Sequence, residues 1–483
     1  MTAPAICLFR DDLRLADQPA LAAASASGAP LLCLFVLDEE TPGLRARGGA
    51  SRWWLHHALT ALSSDLARIG GRLDIVRGAQ PGLVRALAKA AGAASVDWCR
   101  RYGAAEIAAD RGMKADLAAD GVNARSHNGA LLFEPWEVSS KAGDPFKVFT
   151  PFWRTAMARP APPAPLPPPR RLVAAPWPTG APARVSLDEL ELLPTSPDWA
   201  AGFAAHWRPG EAGGRQRLSE FVAHDLARYA DERDLPATGA TSRLSPHLRF
   251  GSVGPRQAFH ASRHRAASEP SLARAAAKFE AELGWREFCY HLLHQFPDLS
   301  TRNFQRKFDS MPWRNADPTA LRTWQRGRTG YPIVDAGMRE LWSTGTMHNR
   351  VRMIAASFLV KDMLVDWRVG EDWFWDTLLD ADPANNPAGW QWVAGSGADA
   401  APYFRIFNPT LQGEKFDPEG SYVRRFVPEL ARLPKAYVHR PAAAPAGVLA
   451  AAGVRLGVDY PAPMLDHHAA RDRALEALKA TQS

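Results

Sequence analysis

The sequence predicts an N-terminal α/β domain with a doubly wound parallel sheet, a long linker and a C-terminal all-α domain. Three observations support this prediction. Short apolar runs alternate with helical patterns over the first 130 residues, a proline-rich stretch follows, and only helical periodicity continues from about residue 214. A chain of 483 residues is long enough for two or three domains, each with its own core.

The predicted sheet is built from short apolar runs bounded by turn residues. Strands are expected at 5–10, 31–38, 72–78 and 95–100, and helices at 51–70, 81–91 and 103–119. Strands and helices in alternation form a parallel sheet that is covered on both faces. The sequence contains neither GxGxxG nor a P-loop pattern, so it gives no fingerprint for a dinucleotide or a triphosphate.

Seven prolines in the ten residues 160–169 are incompatible with a helix or an inner strand. We therefore predict three segments, which are residues 1–131, a linker at 132–205, and a helical domain with a C-terminal tail at 206–483. Within the last segment, periodic apolar residues predict helices at 271–296, 332–343, 347–365, 371–379 and 467–480.

Composition and charge narrow the function classes. The net charge is +7, and arginine outnumbers lysine 48 to 10, which indicates either codon bias or a polyanionic partner. No apolar run approaches the roughly 20 residues that span a bilayer, and the N-terminus lacks a signal-peptide pattern. The four cysteines are scattered without a CxxC pair, which favours reduced thiols in the cytoplasm over a metal site.

A possible anion site precedes a predicted helix in TSRLSPHLRFG (241–251). Ser245 suits the N-cap position and Pro246 the first helical position. The free N–H groups of a helix start can bind an anion. Helix capping alone is the simpler interpretation of this motif.

Two further segments carry charged residues beside apolar ones. In MHNRVRM (347–353), Asn349 and Met353 share one helix face, and the apolar residues that follow predict a mostly buried helix. Buried arginines there would need carboxylate or phosphate partners. Asp380 and Asp382 in LLDADPANN are candidate carboxylates, although they lack the second cluster expected of a metal or glycosidase site.

The segment ELGWREF (282–288) places Glu282 and Trp285 on one helix face. An acid beside an aromatic ring can stack a flat ligand and hydrogen-bond it, but a core tryptophan near a salt bridge is the plainer alternative. His291 and His294 have the same spacing, yet no third ligand is evident, so no zinc site is predicted.

Together these motifs resemble the photolyase/cryptochrome family, and most closely its bacterial cyclobutane pyrimidine dimer photolyases. The matching stretches run from about residue 5 to residue 435 and are FRDDLRLAD, TSRLSPHLRFG, ELGWREF, GYPIVDAGMREL, MHNRVRM and ANNPAGWQWVAGSGADAAPYFRIFNPTLQGEKFDP. The resemblance implies an α/β antenna domain, a linker and a helical FAD-binding catalytic domain. Phe279 and the segment DLSTR (298–302) depart from the pattern of many relatives.

The resemblance also implies site residues. Those expected around FAD are Tyr229, Thr241, Ser242, Leu244, Ser245, Asn349, Arg352, Asp380, Asp382 and Asn386, with Asn386 facing flavin N5 and Arg352 paired with Asp380. The tryptophans expected to carry electrons to the flavin are, from the flavin outward, Trp390, Trp367 and Trp313. The pocket for the flipped dimer matches Glu282, Trp285, Asn349, Arg350, Met353 and Trp392, and Glu106 matches a folate-contacting acid of the antenna site.

The function implied is light-driven repair of pyrimidine dimers in UV-damaged DNA by electron transfer from reduced FAD. The protein is expected to be a cytoplasmic monomer that carries a second, antenna chromophore, either methenyltetrahydrofolate or 8-hydroxydeazaflavin. Three alternatives stay open: a (6-4) photolyase, a cryptochrome-type photoreceptor and a basic flavin electron carrier. Asn349 and Met353, where (6-4) enzymes have histidines, weigh against the first, and Asn386 weighs against the second.

Overall fold

The computed structural model describes residues 2–400 and 405–481, so residues 401–404 of the longest family motif lie outside the described part. The N-terminal region contains a parallel sheet with the strand order β3-β2-β1-β4-β5. Its strands are β1 Ala5–Phe9, β2 Leu31–Leu37, β3 Leu73–Arg77, β4 Ser95–Cys99 and β5 Asn123–His127. In register, Cys7 of β1 lies between Cys33 of β2 and Asp97 of β4. The predicted fold class is confirmed, and β5 is an additional strand.

Both faces of the sheet are buried, as expected for a doubly wound sheet. Cys7 and Phe9 of β1 pack into one core together with Trp54. The alternate residues Ile6 and Leu8 pack into a second core on the other face. Side chains that alternate between two cores explain why these strands are continuous apolar runs in the sequence.

Helices occupy much of the chain up to Gln295. They are α1 Pro19–Ser25, α2 Gly49–Arg68, α3 Gln80–Ala91, α4 Ala104–Ala119, α5 Phe149–Met157, α6 Glu211–Glu220, α7 Leu226–Glu232, α8 Ser245–Arg249, α9 Pro255–Ser268 and α10 Ala273–Gln295. A π-helical turn, Phe221–Asp225, joins α6 to α7. The helix predicted at 271–296 is α10, which begins two residues later than expected.

The remainder of the described chain is helical as well. Its helices are α11 Pro318–Gln325, α12 Pro332–Thr344, α13 Asn349–Ser357, α14 Trp367–Thr377, α15 Asn385–Ala394, α16 Pro409–Phe416, α17 Ser421–Phe426, α18 Ala446–Ala452 and α19 His467–Ala480. The predicted tail helix is confirmed with the same limits. The helix predicted at 347–365 is shorter, because a π-helical turn at Phe358–Asp362 and a left-handed Leu364 (φ 58°) end it.

The segment predicted as a linker, 132–205, is attached to the sheet region. The amide of Leu31 donates to the carbonyl of Val173 at 2.7 Å, and the amide of Ala175 donates to the carbonyl of Leu31 at 3.0 Å. Leu172 and Phe203 are buried in the same core as β1. Apolar burial therefore binds this proline-rich segment to the sheet domain.

The chain divides into two compact units. The first consists of Met1–Ala227, Ser242–Pro297 and Leu379–Asp382, and the second of Arg228–Thr241, Asp298–Leu378 and Pro383–Ser483. The predicted limits at 131 and 205 do not coincide with these boundaries, because the burial just described places 132–205 in the first unit. None of the described helices has the length and hydrophobicity needed to cross a membrane.

Candidate functional site

Two family motifs that are far apart in the sequence meet at Arg249 in the first unit. Its Nη1 forms an ion pair with Asp11 at 2.6 Å, and its Nε donates to the carbonyl of Ala381 at 2.6 Å. Burial alone would raise the pKa of Asp11, but the guanidinium groups of Arg249 and Arg47 hold that pKa below its ordinary value. Arg249 therefore fixes the segment Leu379–Asp382, which carries two of the predicted flavin contacts.

Helix α10 anchors Asp382, the second predicted flavin contact of this segment. Asp382 is buried and accepts a hydrogen bond from the phenol of Tyr290 at 2.8 Å. Burial, together with the neighbouring Asp382, raises the pKa of Tyr290 well above its ordinary value, so the phenol stays protonated and donates. Asp380 is half-buried, two residues before Asp382.

The predicted phosphate contacts surround the start of α8. Ser245 is the first helical residue and Leu244 is the N-cap, so the predicted cap is one residue too late. The difference follows from Arg243, whose left-handed conformation (φ 52°) turns the chain into the helix earlier. Ser245 is exposed and makes no cap hydrogen bond, and Ser242 is half-buried. These hydroxyls are therefore placed where an anion can reach them.

The other predicted phosphate and ribityl contacts, Tyr229 and Thr241, belong to the second unit. Tyr229 is buried, with the guanidinium carbon of Arg233 5.7 Å from its ring centre. Thr241 is half-buried and directly precedes Ser242. The predicted FAD contacts thus belong to two different units.

Asn386 of α15 has a defined amide orientation within the second unit. Its Nδ2 donates to the side chain of Glu371 at 2.7 Å and to the carbonyl of Glu371 at 3.1 Å. Glu371, buried on α14, was missed by sequence reasoning. Since both donors are used, Oδ1 of Asn386 is left as an acceptor, which suits a flavin N–H. Gly389 follows one turn later and is exposed, with nothing within 4 Å of where a Cβ would stand.

The N-terminal turn of α13 brings three predicted lesion contacts together. Nδ2 of Asn349 and Nη1 of Arg350 lie 4.0 Å and 3.9 Å from the sulfur of Met353. Arg350 also forms an ion pair with Asp234 at 2.9 Å. The predicted shared face of Asn349 and Met353 is therefore confirmed, and Asp234 supplies the carboxylate that the arginine was expected to need.

Arg352 and Trp392 are held by main-chain carbonyls. Nε of Arg352, which is half-buried, donates to the carbonyl of Met347 at 2.7 Å. The indole of Trp392 donates to the carbonyl of Asp399 at 3.1 Å. The pairing of Arg352 with Asp380 stays a prediction, and so does the contact of Trp392 with the lesion.

Helix α10 carries the other predicted lesion contacts, in the first unit. Glu282 forms an ion pair with Lys278, one turn earlier, at 3.1 Å, and the exposed fraction of its side chain is 25%. Trp285 is half-buried and stacks on Phe149, with ring centres 3.9 Å apart and planes 10° from parallel. Phe149 was missed because it lies on α5, inside the predicted linker. Lys278, in contrast, has a spacing from Glu282 that could be seen in the sequence.

The three tryptophans of the predicted electron path differ in burial. Trp390 and Trp367 are buried, whereas Trp313 is half-buried. The ring of Trp390 packs directly on α14, because a Cβ at Gly370 would stand 2.1 Å from it. Trp367 lies one turn before Gly370 on the same helix. The predicted exit residue, Trp313, is thus the most exposed of the three, and the order of the path stays a prediction.

The edge of the sheet where β1 and β4 end contains the predicted antenna residue. The strand order changes direction here, and such a crevice commonly binds a ligand. Glu106 accepts from the amide of Gly103 at 3.0 Å and lies 3.7 Å from Arg101. Two arginines that sequence reasoning missed, Arg10 and Arg101, each have a buried nitrogen without a hydrogen-bond partner. They offer cationic donors to an acidic or carbonyl-bearing chromophore.

Among the residues that the structure describes, no group of three or more His, Cys, Asp or Glu side chains is arranged to hold a metal ion. The predicted site residues described above are carboxylates, amides, hydroxyls and aromatic rings, which suit flat and anionic ligands.

Comparison with known proteins agrees with this geometry. A family model described as DNA photolyase matches residues 5–170, and one described as the FAD binding domain of DNA photolyase matches residues 279–480. The deoxyribodipyrimidine photo-lyase of Agrobacterium fabrum is 50% identical over 100% of this chain and 98% of its own. Cryptochrome-1 of Arabidopsis thaliana is 38% identical over 98% of this chain and 70% of its own. The crystal structure of a bacterial class III photolyase from Agrobacterium tumefaciens superposes with a TM-score of 0.94 at 49% identity, covering 100% of this chain and 98% of that chain.

Proposed function

The chain belongs to the photolyase/cryptochrome family, and on that premise we propose that it is a deoxyribodipyrimidine photo-lyase. It uses light to split cyclobutane pyrimidine dimers in DNA. The observation that carries this proposal is the half-buried pair Glu282 and Trp285, which α10 presents one helical turn apart. Such a pair suits a lesion that must be stacked and hydrogen-bonded at the same time. A flavin electron carrier would not require it.

FAD is the cofactor, and when bound in its reduced form it supplies the electron that opens the dimer after excitation. The hydroxyls of Thr241, Ser242 and Ser245 would hold its phosphate and ribityl groups. Asn386 accepts a hydrogen bond at flavin N5 through the oxygen that Glu371 leaves available. Tyr229, Leu244, Asn349, Arg352, Asp380 and Asp382 complete the FAD site.

The residues assigned to the lesion are Glu282 and Trp285 of α10 in the first unit, and Asn349, Arg350, Met353 and Trp392 in the second unit. A dimer flipped out of the duplex stacks on the ring of Trp285, and opening a damaged pair costs less than opening an intact one. Glu282 hydrogen-bonds a pyrimidine carbonyl, and Lys278 keeps a positive charge 3.1 Å from that carboxyl group. A protonated Glu282 donates a hydrogen bond to that carbonyl, and this donor and the Lys278 ammonium group both favour the negative charge that develops on the dimer when the electron arrives.

The antenna chromophore is methenyltetrahydrofolate or 8-hydroxydeazaflavin, and we place it at the edge formed by Arg10, Arg101 and Glu106. The protein acts in the cytoplasm as a monomer. A (6-4) photolyase is less well supported, because Asn349 and Met353 stand where that chemistry uses histidines. Asn386 likewise favours a repair enzyme over a cryptochrome-type photoreceptor.

Two oligonucleotides test the proposal, one with a single cyclobutane thymine dimer and one with a (6-4) photoproduct. The reduced protein should restore the first under blue light and not in the dark, and should leave the second unchanged. A preparation that holds reduced FAD and fails to repair the cyclobutane dimer in light would contradict the proposal. The absorption spectrum of the denatured supernatant from the same preparation identifies the antenna chromophore.

A further inference from the structure

Three aromatic rings of the first unit form a series that the proposed function does not use. Tyr290 is bonded to Asp382, the ring of Tyr102 lies 5.8 Å from that of Tyr290, and the ring of Trp136 lies 6.5 Å from that of Tyr102. We propose that Trp136, Tyr102 and Tyr290 form a second path for electrons to the flavin, independent of Trp390. This inference rests on the proposed function, because it takes Asp382 as a flavin contact.

Both tyrosines have the hydrogen bond that a redox-active tyrosine needs. A tyrosine that loses an electron also loses its phenolic proton, and in a buried site that proton requires an acceptor within hydrogen-bond reach. Tyr290 donates to Asp382 at 2.8 Å, and Tyr102 donates to Glu134 at 3.0 Å. The rings of both tyrosines are buried, and so are both carboxylates. Tyr422 and Tyr460 in the second unit also donate to carboxylates, but Tyr102 and Tyr290 differ from them in having rings that lie next to each other, 5.8 Å apart.

The outer end of the series reaches solvent. Trp136 is 50% exposed, and the guanidinium carbon of Arg100 lies 5.8 Å from its ring centre. The same Arg100 donates to the carboxylate of Glu134 at 2.7 Å, so the tryptophan and the proton acceptor of Tyr102 share one cation. An exposed tryptophan is not informative by itself. Here its position beside Tyr102 makes it the point at which an external donor can deliver an electron.

The steps balance with one external reductant, a thiolate in solution. An electron leaves the ring of Tyr290 toward the light-excited oxidised flavin while the phenolic O–H bond breaks and its proton moves to Asp382. Tyr102 then reduces the Tyr290 radical, Asp382 returns its proton to Tyr290, and the proton of Tyr102 moves to Glu134. Trp136 reduces the Tyr102 radical, which recovers its proton from Glu134, and the thiolate reduces the Trp136 radical cation. The net change is one electron passed from the thiolate, which becomes a thiyl radical, to the flavin.

The test uses the FAD-containing Trp390→Phe variant, in which the predicted tryptophan path is interrupted. Under illumination with a thiol, this variant should reduce its flavin slowly, should slow further in D₂O, and should show a tyrosyl radical by electron paramagnetic resonance. Adding Tyr290→Phe should abolish the residual reduction and the radical signal. Tyr331→Phe is the matched control, because Tyr331 is buried but donates to the carbonyl of Leu465 and to no carboxylate.

A second variant tests the path without altering the hydrogen bond to Asp382 at the flavin site. Tyr102→Phe leaves the Tyr290–Asp382 hydrogen bond in place and should remove the residual reduction as well, at unchanged FAD content. The path is overturned if Trp390→Phe gives no tyrosyl radical, or if the Tyr290→Phe and Tyr102→Phe combinations reduce the flavin as fast as the Tyr331→Phe combination. Either failure leaves dimer repair by the parent protein intact, whereas failure of the proposed function removes that repair.

Discussion

At the scale of single residues, the orientation of the Asn386 amide depends on Glu371. Both N–H groups of Asn386 point to Glu371, so its oxygen is the group available to the flavin. Without this buried carboxylate the amide would be free to rotate and present either atom. Glu371 is therefore a positioning residue that acts through Asn386.

We predict that Glu371→Ala makes the reduced flavin oxidise faster in air, as Asn386→Ala should. The double variant should be no faster than Asn386→Ala alone, because the two residues act through one hydrogen bond. Glu371→Gln keeps an acceptor for the Asn386 amide and serves as the control. Stopped-flow reoxidation at equal FAD content measures the rates, and additive effects of the two alanine substitutions would show that Glu371 acts independently.

At the scale of elements, one guanidinium group joins the segment Leu379–Asp382 to the end of β1 in the first unit. Arg249 of α8 joins it to Asp11, which follows β1. Removing one partner of a buried ion pair leaves an uncompensated charge. The arrangement explains why the two separated motifs that contain Asp11 and Arg249 carry charged side chains with little exposure to solvent.

Arg249→Met should lower the free energy of unfolding by about 3 to 5 kcal/mol. Arg47→Met is the control, because Arg47 also pairs with Asp11 at 2.7 Å but its side chain is more exposed, so its loss should cost less. The pKa of Asp11 is depressed in the folded protein, so the contribution of the pair is present above the ordinary carboxyl pKa of about 4 and is lost as the pH falls below it. Urea unfolding at pH 7 and pH 3 measures both effects, and equal small losses for the two variants would contradict the role of Arg249.

The elements that the sequence predicted well are those with strong apolar patterns. Strands β1 and β2 are continuous apolar runs, β3 and β4 are shorter runs each interrupted by one aspartate, and the tail helix α19 has clear limits. Strand β5 reads NARSH and has no fully buried residue, so nothing in its composition distinguishes it from a loop. Helix α5 was not predicted, because it lies inside a segment in which prolines are frequent. The early end of α13 was not predicted either, because it depends on a π-helical turn that periodicity does not reveal.

At the scale of the whole molecule, the positive net charge should dominate the affinity for DNA. Two candidate contacts to DNA phosphates are Arg302 and Arg306. The guanidinium group of Arg302 lies 3.8 Å from the carboxylate of Asp298, and that of Arg306 lies 2.5 Å from it. The exposed fraction of the Arg302 side chain is 59%, so a phosphate can compete with that carboxylate. Phosphate binding releases counterions, which makes the affinity depend on salt.

We expect the logarithm of dimer-DNA affinity to fall linearly with the logarithm of salt concentration. Arg302→Ala should reduce the slope by about 1, because one phosphate contact is lost. Arg68→Ala is the control, since the Arg68 side chain is 73% exposed and pairs with Asp65 on α2. Fluorescence anisotropy with a labelled oligonucleotide gives the slopes, and a flat salt dependence of the parent protein would remove the electrostatic account.

Across the molecule, the sequence identified the candidate site residues better than their partners. The resemblance supplied Glu282, Asn386 and Asp382 by position in motifs. Their partners Glu371 and Tyr290 are far away in the sequence, so only the folded chain reveals them. Lys278 could have been found from its i,i+4 spacing to Glu282, because a helix brings such residues together.

The measurement that tests repair most directly is the quantum yield of dimer repair by the chemically reduced Glu282→Ala variant. When its carboxyl group carries a proton, Glu282 donates to a carbonyl that gains charge as the electron arrives, so its loss should affect the chemistry more than binding. Removing one such donor costs about 10²-fold or more in a hydrolase. Repair competes only with return of the electron, so a smaller loss of yield is expected here, at unchanged FAD content and dimer-DNA affinity.

Two further variants separate this role from a structural one. Glu282→Gln keeps a donor and should retain more of the yield than Glu282→Ala. Lys278→Met removes the ion pair while leaving the carboxyl group, so it reports what the pair contributes to the melting temperature. The account predicts a lower repair yield in Glu282→Ala on the same preparation that shows normal affinity for dimer DNA. Full yield together with a melting temperature lowered as in Lys278→Met would contradict it.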